Sequence, residues 1–251
     1  MSEGPQLQHM RIVISGAGRG IGAAIAACCA REGASLGLFY HRSQSRAEAL
    51  AERLRAEHET QVQLAPLDLA QPLSIEPAMK QMIARLGGID ALVNNAAESS
   101  SGLLLAQSTD ALIASLNVNL LAPMLCAKAA LRSMLSQRCG VIINVGSVAS
   151  RMPHRGQCAY ASAKAGLEGL TRALAVEYGS REIRAHTVAP GPIATEMLDE
   201  QARAAVGQRL PGGRLGRPEE VAELVAFLLG PRARFMNGAT ICVDGAYQGP
   251  P

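Results

Sequence analysis

Features that mark membrane, exported and nucleic-acid-binding proteins are missing from this sequence. No stretch reaches the roughly 18 uninterrupted apolar residues that indicate a membrane helix. The N-terminal segment MSEGPQLQHM has no apolar signal-peptide core. The formal net charge is only +3, and the arginines are scattered instead of forming the basic stripe of a nucleic-acid-binding surface. These absences predict a cytoplasmic protein with no membrane or nucleic-acid partner.

Metal-binding and disulfide patterns are missing as well. The five histidines are dispersed, and none stands at the spacing that a metal helix or knuckle uses. The six cysteines have no zinc-like or CxxC spacing, and a chain of this size needs no disulfide to fold. We therefore expect no metal site and six reduced thiols, mostly packing residues: Cys28, Cys29, Cys126, Cys139, Cys158 and Cys242.

Short apolar runs alternate with longer helical segments. A chain of 251 residues with 48% hydrophobic content and no linker or repeat suits one large domain, residues 1–251. Helical periodicity covers 21–33, 45–59, 77–87, 109–137, 157–179 and 219–230. β-Branched or leucine-rich runs predict strands at 11–15, 35–40, 61–65, 89–93, 141–146, 183–188 and 239–243. This alternation predicts an α/β domain of Rossmann type, a doubly wound, seven-stranded parallel sheet with helices on both faces.

A glycine-rich turn, SGAGRGIG at residues 15–22, follows the first predicted strand and opens into an alanine-rich helix. Ligands of doubly wound sheets bind beyond the carboxyl ends of the strands, where the strand order reverses. Glycines permit a tight turn there, and the helix N-terminus offers N–H groups and partial positive charge to a pyrophosphate. The turn therefore indicates a dinucleotide site. The turn is not a P-loop, because a P-loop ends in Lys-Ser/Thr whereas Ala23 and Ala24 follow Gly22 here.

Tyr160 and Lys164 stand four residues apart in a segment of helical period, so both side chains project from one face. An ammonium about 4 Å from a phenol supplies roughly 4 kcal/mol at an effective dielectric of about 20. That energy is enough to bring a tyrosine pKa from about 10 to about 7. The pair is typical of a proton donor beside an activating cation.

The order of these motifs resembles that of the short-chain dehydrogenase/reductase family, from about Met10 to about Gly249. SGAGRGIG resembles the family's cofactor turn, NNAA at 94–97 its segment beside the central sheet, and PGPIAT at 190–195 its nicotinamide-side loop. The resemblance implies an NAD(P)-dependent oxidoreductase that transfers hydride between the nicotinamide and a carbonyl carbon. It also implies a catalytic tetrad of Asn119, Ser147, Tyr160 and Lys164.

The resemblance implies a set of cofactor contacts. Two positions depart from the family pattern: Ser15 replaces a usual threonine and keeps its hydroxyl, and Ala97 replaces a common glycine. A Cβ at Ala97 would crowd the adenosine ribose if the position needed a positive φ. The implied contacts are Gly16, Arg19, Gly20, Ile21, Gly22, Tyr40, His41, Arg42, Ser43, Asp68, Leu69, Asn95, Ala96, Ala97, Tyr160, Lys164, Pro190, Gly191, Ile193 and Thr195.

Several of these residues have alternative interpretations. Ser147 would orient the substrate carbonyl, or it is an ordinary turn or cap serine. Asn119 lies inside a helical segment that disfavours asparagine. In the family this residue anchors a water that relays protons to the lysine, and Asn117 is the rival for that position. Asp68 would contact the adenine, or it caps the loop and helix that follow.

Cofactor choice is expected at the end of the second strand, where NAD-specific enzymes place a carboxylate against the ribose hydroxyls. Tyr40 occupies that place, followed by His41, Arg42 and Ser43, with Arg19 in the nearby turn. An unopposed guanidinium pairs bidentately with a 2′-phosphate. NADP(H) is therefore the predicted cofactor. The alternative is NAD(H), in which case Arg42 is an ordinary solvated loop arginine.

Within the family, the chain most resembles 3-oxoacyl-(acyl-carrier-protein) reductases. Arg138 and Arg181 match arginines that receive the acidic carrier protein in those enzymes. A homotetramer or homodimer is expected from the resemblance, with helices 109–137 and 157–179 supplying apolar faces. A dehydrogenase of a small alcohol, sugar or steroid and a non-catalytic cofactor sensor remain as alternatives. The predicted substrate pocket comprises Val148, Met152, His154, Gln157, Cys158 and Met197.

Overall fold

Seven parallel strands form the central sheet of the computed structural model, which describes residues 5–99, 101–196, 207 and 210–247. They are β1 (Arg11–Ser15), β2 (Ser35–Tyr40), β3 (Val62–Pro66), β4 (Ala91–Asn94), β5 (Gly140–Val145), β6 (Ile183–Pro190) and β7 (Thr240–Val243). The order is β3-β2-β1-β4-β5-β6-β7, and all neighbours are parallel. The order reverses between β1 and β4, so the switch point lies at their carboxyl ends. The predicted sheet is confirmed.

Helices cover both faces of the sheet. On one face α1, α2 and α7 enclose a core with the sheet, and on the other α3, α5 and α6 enclose a second core. The helices of the described residues are α1 (Gly20–Arg31), α2 (Gln44–His58), α3 (Pro72–Leu86), α4 (Thr109–Leu116), α5 (Ala122–Gln137), α6 (Cys158–Tyr178) and α7 (Pro218–Leu229).

The strands divide their side chains between these two cores, since successive residues of a strand point to opposite faces. Ile12 and Ile14 lie in the core beneath α1, whereas Val13 lies in the core beneath α3. Burial on both faces explains why the strands read as continuous apolar runs. The six cysteines are free, and Cys28 and Cys126 are buried in the first and second core respectively.

Two predicted helices have different bounds in the structure. α3 begins at Pro72 instead of residue 77, because a proline in the first helical turn loses no intrahelical hydrogen bond. Pro77 is accommodated inside the helix. The segment 109–137 is interrupted by a π-helical turn, Asn117–Leu121. By length and composition alone this segment also meets the criteria for a membrane span, but its helices pack against α3 and α6.

A buried polar network joins β4, β5, β6 and α6 beneath the carboxyl end of the sheet. Asn94 Nδ2 donates to Asn144 Oδ1 (2.9 Å), and Asn144 Nδ2 donates to Thr171 Oγ1 (2.9 Å). The Thr171 hydroxyl is also hydrogen-bonded to that of Thr187 (2.7 Å). All four side chains are buried. Because each polar group has a partner, the network fixes the strand ends that carry the site residues.

Asn144→Ala should lower the free energy of unfolding by about 3 kcal/mol, because it leaves buried groups of Asn94 and Thr171 without partners. Denaturant unfolding followed by circular dichroism measures the change. Asn117→Ala, a half-buried asparagine outside the network, is the matched control and should change stability by less than about 1 kcal/mol. Equal effects of the two variants would contradict the role given to the network.

Candidate active site

The glycine-rich turn folds tightly against the segment after β4. Gly16 has a φ of +67°, and a Cβ there would lie 2.8 Å from the Cα of Ala96. A Cβ on Gly22 would lie 2.3 Å from the Gly16 carbonyl oxygen and 2.4 Å from Asn95 Nδ2. Arg19, the N-cap of α1, makes no side-chain capping hydrogen bond. It therefore leaves the N–H groups of the first helical turn to another acceptor, as a phosphate cradle requires.

Ser15 and Asn95 brace this turn. The Ser15 hydroxyl accepts hydrogen bonds from the backbone N–H groups of Asn95 and Ala96, both 3.1 Å. Asn95 Nδ2 donates to the carbonyl oxygens of Ser15 (3.0 Å) and Gly16 (3.1 Å). The hydroxyl at position 15 is thus a structural acceptor, which serine supplies. Asn95, predicted as a cofactor contact, has its amide N–H groups engaged by the turn.

Backbone conformation removes the concern over Ala97. Its φ is not positive, so the Cβ is accommodated without strain. Leu69, predicted beside the adenine, is 8% exposed and belongs to the core beneath α3. In the described part of the chain, the non-glycine residues with positive φ are His9, Glu59, Arg138, Glu182 and Ala246.

Tyr160, Lys164 and Ser147 meet where β5 ends and α6 begins. Tyr160 lies in the first turn of α6, and Lys164 lies one turn further on the same face. Lys164 Nζ lies 5.6 Å from the centroid of the Tyr160 ring and donates to the carbonyl oxygen of Val145 at 2.8 Å. Ser147, two residues after β5, lies beside the Tyr160 phenol and lowers the pKa of that group. The structure therefore brings three members of the predicted tetrad together.

Burial dominates the protonation of this pair. It raises the pKa of Tyr160, and the hydrogen bond with Ser147 offsets part of that effect. Burial also lowers the pKa of Lys164 to about 8. The sequence predicted instead that Lys164 lowers the pKa of Tyr160. The structure differs because desolvation of the buried phenol is the largest effect on the pKa of Tyr160.

Ser147 is a cap serine, one of its two predicted interpretations. Its hydroxyl accepts a hydrogen bond from the backbone N–H of Ala149 (3.1 Å), which caps the 3-10 turn Val148–Ser150. The same side chain lies beside the Tyr160 phenol. Capping therefore fixes the hydroxyl beside the phenol, since the cap restricts where the side chain points.

Asn119 is the fully buried residue of the π-helical turn, whereas its rival Asn117 is half-buried. Asn119 Nδ2 donates to the carbonyl oxygens of Glu98 (2.8 Å) and Ser115 (3.0 Å). Its Oδ1 accepts from the Glu98 backbone N–H at 3.2 Å. π-Helical turns occur frequently at functional sites. The bonds to Glu98 tie this turn to the chain that leaves β4.

The residues predicted to select the cofactor follow β2 and β3. Tyr40 ends β2, and His41 and Arg42 are exposed beyond it. Asp68 Oδ1 accepts from the Ala70 N–H at 2.9 Å, which makes Asp68 a turn cap. Its Oδ2 lies 3.9 Å from His41 Nε2. The cap therefore uses one carboxylate oxygen of Asp68 and leaves the other beside His41.

Three charged side chains lie beside the glycine-rich turn of residues 15–22, the phosphate turn. Arg46 NH1 is 2.6 Å from Glu196 Oε2, and Arg19 NH1 is 3.5 Å from the same oxygen. Arg46 and Glu196 were absent from the predicted site, since nothing in their local sequence distinguishes them from solvated residues. Gly18 was absent too, but a Cβ there would lie 2.5 Å from Ser43 Oγ. Arg19 is consequently not the unopposed cation that the sequence predicted.

The predicted nicotinamide-side loop follows β6, which ends at Pro190. Gly191 continues the backbone pairing with the end of β7. Ile193 is buried, and Thr195 lies against the phosphate turn, where a Cβ on Gly20 would meet its Cγ2 at 3.4 Å. The two predicted cofactor loops therefore converge on one crevice at the carboxyl end of the sheet.

Part of the predicted substrate pocket forms an apolar cluster with residues from the end of the chain. Val148 and Met152 pack with Leu210 and Tyr247. The Tyr247 hydroxyl is 2.7 Å from His154 Nε2, and the two rings are stacked. Sequence reasoning missed Tyr247, because its distance along the chain gives no indication that it packs beside the Ser147 turn.

The remaining pocket residues have mixed positions. Gln157 Oε1 accepts from the His154 backbone N–H at 2.8 Å and closes the loop before α6. Cys158 is exposed at the first residue of α6. Met197 lies outside the described residues.

Arg138 and Arg181 do not lie beside the catalytic pair of this chain. Arg138 precedes β5, and Arg181 precedes β6, so both stand at the amino edge of the sheet. Tyr160 lies at the opposite edge, and the α6 axis between Tyr160 and Tyr178 spans roughly 27 Å.

Two surface clefts lie apart from the catalytic residues. One, of about 420 Å³, is bordered by α1, α2 and α7. The other, of about 310 Å³, runs between α5 and α6. Neither cleft is lined by Ser147, Tyr160 or Lys164.

Comparisons with known proteins find similar sequences and structures over nearly the whole chain. A family model described as "Enoyl-(Acyl carrier protein) reductase" matches residues 16–248. The 3-oxoacyl-(acyl-carrier-protein) reductase FabG of Pseudomonas aeruginosa is 42% identical over 242 residues, which is 95% of this chain and 97% of that protein.

Solved structures share the fold over nearly the whole chain. A blue fluorescent protein from a metagenomic library, in complex with NADPH, has a TM-score of 0.91 at 36% identity, covering 97% of this chain and 100% of that one. A short chain dehydrogenase from Burkholderia cenocepacia, in complex with NADP, has a TM-score of 0.90 at 35% identity with the same coverage. The sheet order, the phosphate turn and the Ser147, Tyr160 and Lys164 geometry, together with these matches, show that the chain belongs to the short-chain dehydrogenase/reductase family of oxidoreductases.

Proposed function

We propose that the protein is an NADPH-dependent reductase that converts a 3-oxoacyl thioester, linked to a carrier protein or to coenzyme A, into the 3-hydroxy product. The observation that carries the proposal is the meeting of Tyr160, Lys164 and Ser147 at the carboxyl end of β5, beside the crevice that the phosphate turn borders. The 3-oxoacyl reductase relative supports the substrate class.

Each of the three residues has a separate role. Ser147 donates a hydrogen bond to the substrate carbonyl oxygen and orients it toward the phenol. Tyr160 gives its proton to that oxygen as the carbonyl is reduced. Lys164 lies beside the ring, and its positive charge stabilises the phenolate that remains. A bound dihydronicotinamide supplies the hydride.

The chain's own residues fit a dinucleotide. A Cβ on Gly16 or Gly22 would fill the cradle at the turn, and the N-cap of α1 provides no side-chain acceptor. Asn119 would hold a water that links Lys164 to solvent, a role implied by the family resemblance. Tyr160 and Lys164 would meet the nicotinamide ribose from the opposite side of the crevice.

NADP(H) is the proposed cofactor. No carboxylate follows Tyr40 directly, and Arg42 is exposed with no ion-pair partner among the described residues. A guanidinium in that position suits a 2′-phosphate. Two structural relatives are in complex with NADPH or NADP. NAD(H) is the alternative that the experiment on Arg42 tests.

We further propose a homodimer or homotetramer and a cytoplasmic location. Leu121 and Met124 are more than a third exposed at the start of α5, and Leu135 is equally exposed near its end. Together with the α5–α6 cleft they form an apolar surface that a second copy could cover. Size-exclusion chromatography with light scattering measures the assembly.

Purified protein should oxidise NADPH when acetoacetyl-CoA is added. The loss of the near-ultraviolet absorbance of NADPH measures this reaction. A panel of secondary alcohols, sugars and steroids, each tested with NADP, distinguishes a dehydrogenase of such compounds from a 3-oxoacyl thioester reductase. Turnover of the panel without turnover of any 3-oxoacyl thioester would replace the proposed substrate class. Binding of NADPH without any turnover would indicate a cofactor sensor.

Tyr160→Phe should lower kcat by about 10²- to 10⁴-fold, because the proton donor is lost. NADPH binding, measured by calorimetry, should stay within a few-fold of the unchanged protein. Tyr178→Phe, at the other end of α6, is the matched control and should keep full activity. A Tyr160→Phe variant with a near-normal rate would reject the mechanism.

Arg42→Asp should shift the ratio of kcat/KM for NADPH over NADH toward NADH by about 10- to 100-fold, the value of a charge-assisted pair with phosphate. Arg53→Asp makes the same charge change further along α2 and should leave the ratio unaltered. An unchanged ratio in Arg42→Asp would remove Arg42 from cofactor selection.

A further inference from the structure

Glu168 extends the line of catalytic side chains along α6. Tyr160, Lys164 and Glu168 follow one another at intervals of four residues, so all three lie on one face of the helix. The proposed mechanism uses the first two only. Glu168 is nevertheless 9% exposed, which is unusual for a carboxylate. Its burial therefore requires partners that compensate for lost hydration.

Those partners lie in the turn that carries Ser147. Glu168 Oε1 accepts a hydrogen bond from the Ser150 hydroxyl at 2.7 Å, and Oε2 accepts from Arg151 NH2 at 3.0 Å. The Ser150 hydroxyl also lies 2.8 Å from the carbonyl oxygen of Ser147. A short chain of polar contacts thus runs from the helix face to the backbone of Ser147.

The carboxylate is charged in the folded protein. Burial raises the pKa of Glu168, but hydrogen bonds from Ser150 and Arg151, with the Arg151 and Arg172 charges, outweigh it and leave the pKa below its ordinary value. Arg172 NH1 lies 3.9 Å from the same carboxylate, one helical turn further along α6. An ionised and largely buried acceptor holds its donors more strongly than a neutral one.

The turn that carries Ser147 needs contacts that hold it against α6. Ser147 and Tyr160 belong to different elements, the turn after β5 and the helix α6, so the position of the Ser147 hydroxyl beside the phenol depends on how the turn packs against the helix. The Lys164 contact with Val145 fixes the end of β5, which precedes this turn. Glu168 fixes the other end of the turn through Ser150 and Arg151.

We propose that Glu168 is a positioning residue, which acts through Ser150 and Arg151 to hold the Ser147 hydroxyl in register with Tyr160. The proposal rests on the reductase function proposed above. Glu168→Ala should lower kcat with acetoacetyl-CoA and NADPH by about 10- to 100-fold, the cost of a small displacement of a catalytic group. The KM for NADPH should change little, since Glu168 does not border the phosphate turn.

A double-mutant cycle separates positioning from general stabilisation. In a Ser147→Ala background, Glu168→Ala should lower kcat by less than about 2-fold further, because the group it positions is already absent. Glu168→Gln keeps an acceptor for Ser150 and should recover most of the activity. Glu177→Ala, an exposed glutamate of the same helix, is the matched control. The same fold-loss in both backgrounds would overturn the proposal.

Titration of the Tyr160 phenol gives a readout without substrate. The phenolate absorbance of the protein minus that of Tyr160→Phe follows this one residue. Loss of the Ser147 hydrogen bond in Glu168→Ala or Ser150→Ala should raise the midpoint by roughly one pH unit. An unchanged midpoint in both variants would overturn the proposal. Failure of thioester reduction by the unchanged protein would reject the proposed function and leave this titration as the deciding measurement.

Discussion

The buried ammonium of Lys164 is the constraint on which the site depends. A cation that is 2% exposed must find an acceptor, and the acceptor is the carbonyl oxygen of Val145, the last residue of β5. This bond fastens the first turns of α6 to the end of the strand. Tyr160 and Ser147, which lie on either side of that junction, are brought together as a consequence. The contact between Lys164 and Val145 therefore sets how α6 lies relative to the end of β5.

The same edge of the sheet is held rigid by polar contacts that have no chemical role. Ser15 and Asn95 tie the phosphate turn to the chain after β4. Asn144 and Thr171 tie β5 to α6 below the catalytic residues. Buried polar networks with satisfied partners specify one arrangement of their elements. The crevice between the turn and the catalytic residues is therefore shaped by the scaffold.

The features that could be predicted are those set by residues close together in the sequence. Strands and most helix bounds follow from periodicity, and the Tyr160 and Lys164 spacing follows from the helical repeat. The π-helical turn at Asn119 could not be predicted, because it depends on bonds to Glu98 from a distant loop. Tyr247 and Glu168 were missed for the same reason, since their partners lie far away along the chain. Arg138 and Arg181 matched a pattern, but the pattern carries no information about which edge of the sheet they occupy.

Burial shifts the pKa values of Tyr160 and Lys164 in directions that suit the proposed reduction. Burial keeps the Tyr160 phenol protonated at neutral pH, and Lys164, with a pKa of about 8, is still mostly charged there. A protonated phenol beside a cation is ready to give a proton to a carbonyl oxygen. Oxidation of an alcohol needs the phenolate as a base, which burial disfavours. Because the two pKa shifts have a common cause, desolvation of the α6 face, the burial of Lys164 goes together with a Tyr160 phenol in the protonated form that the proposed reduction needs.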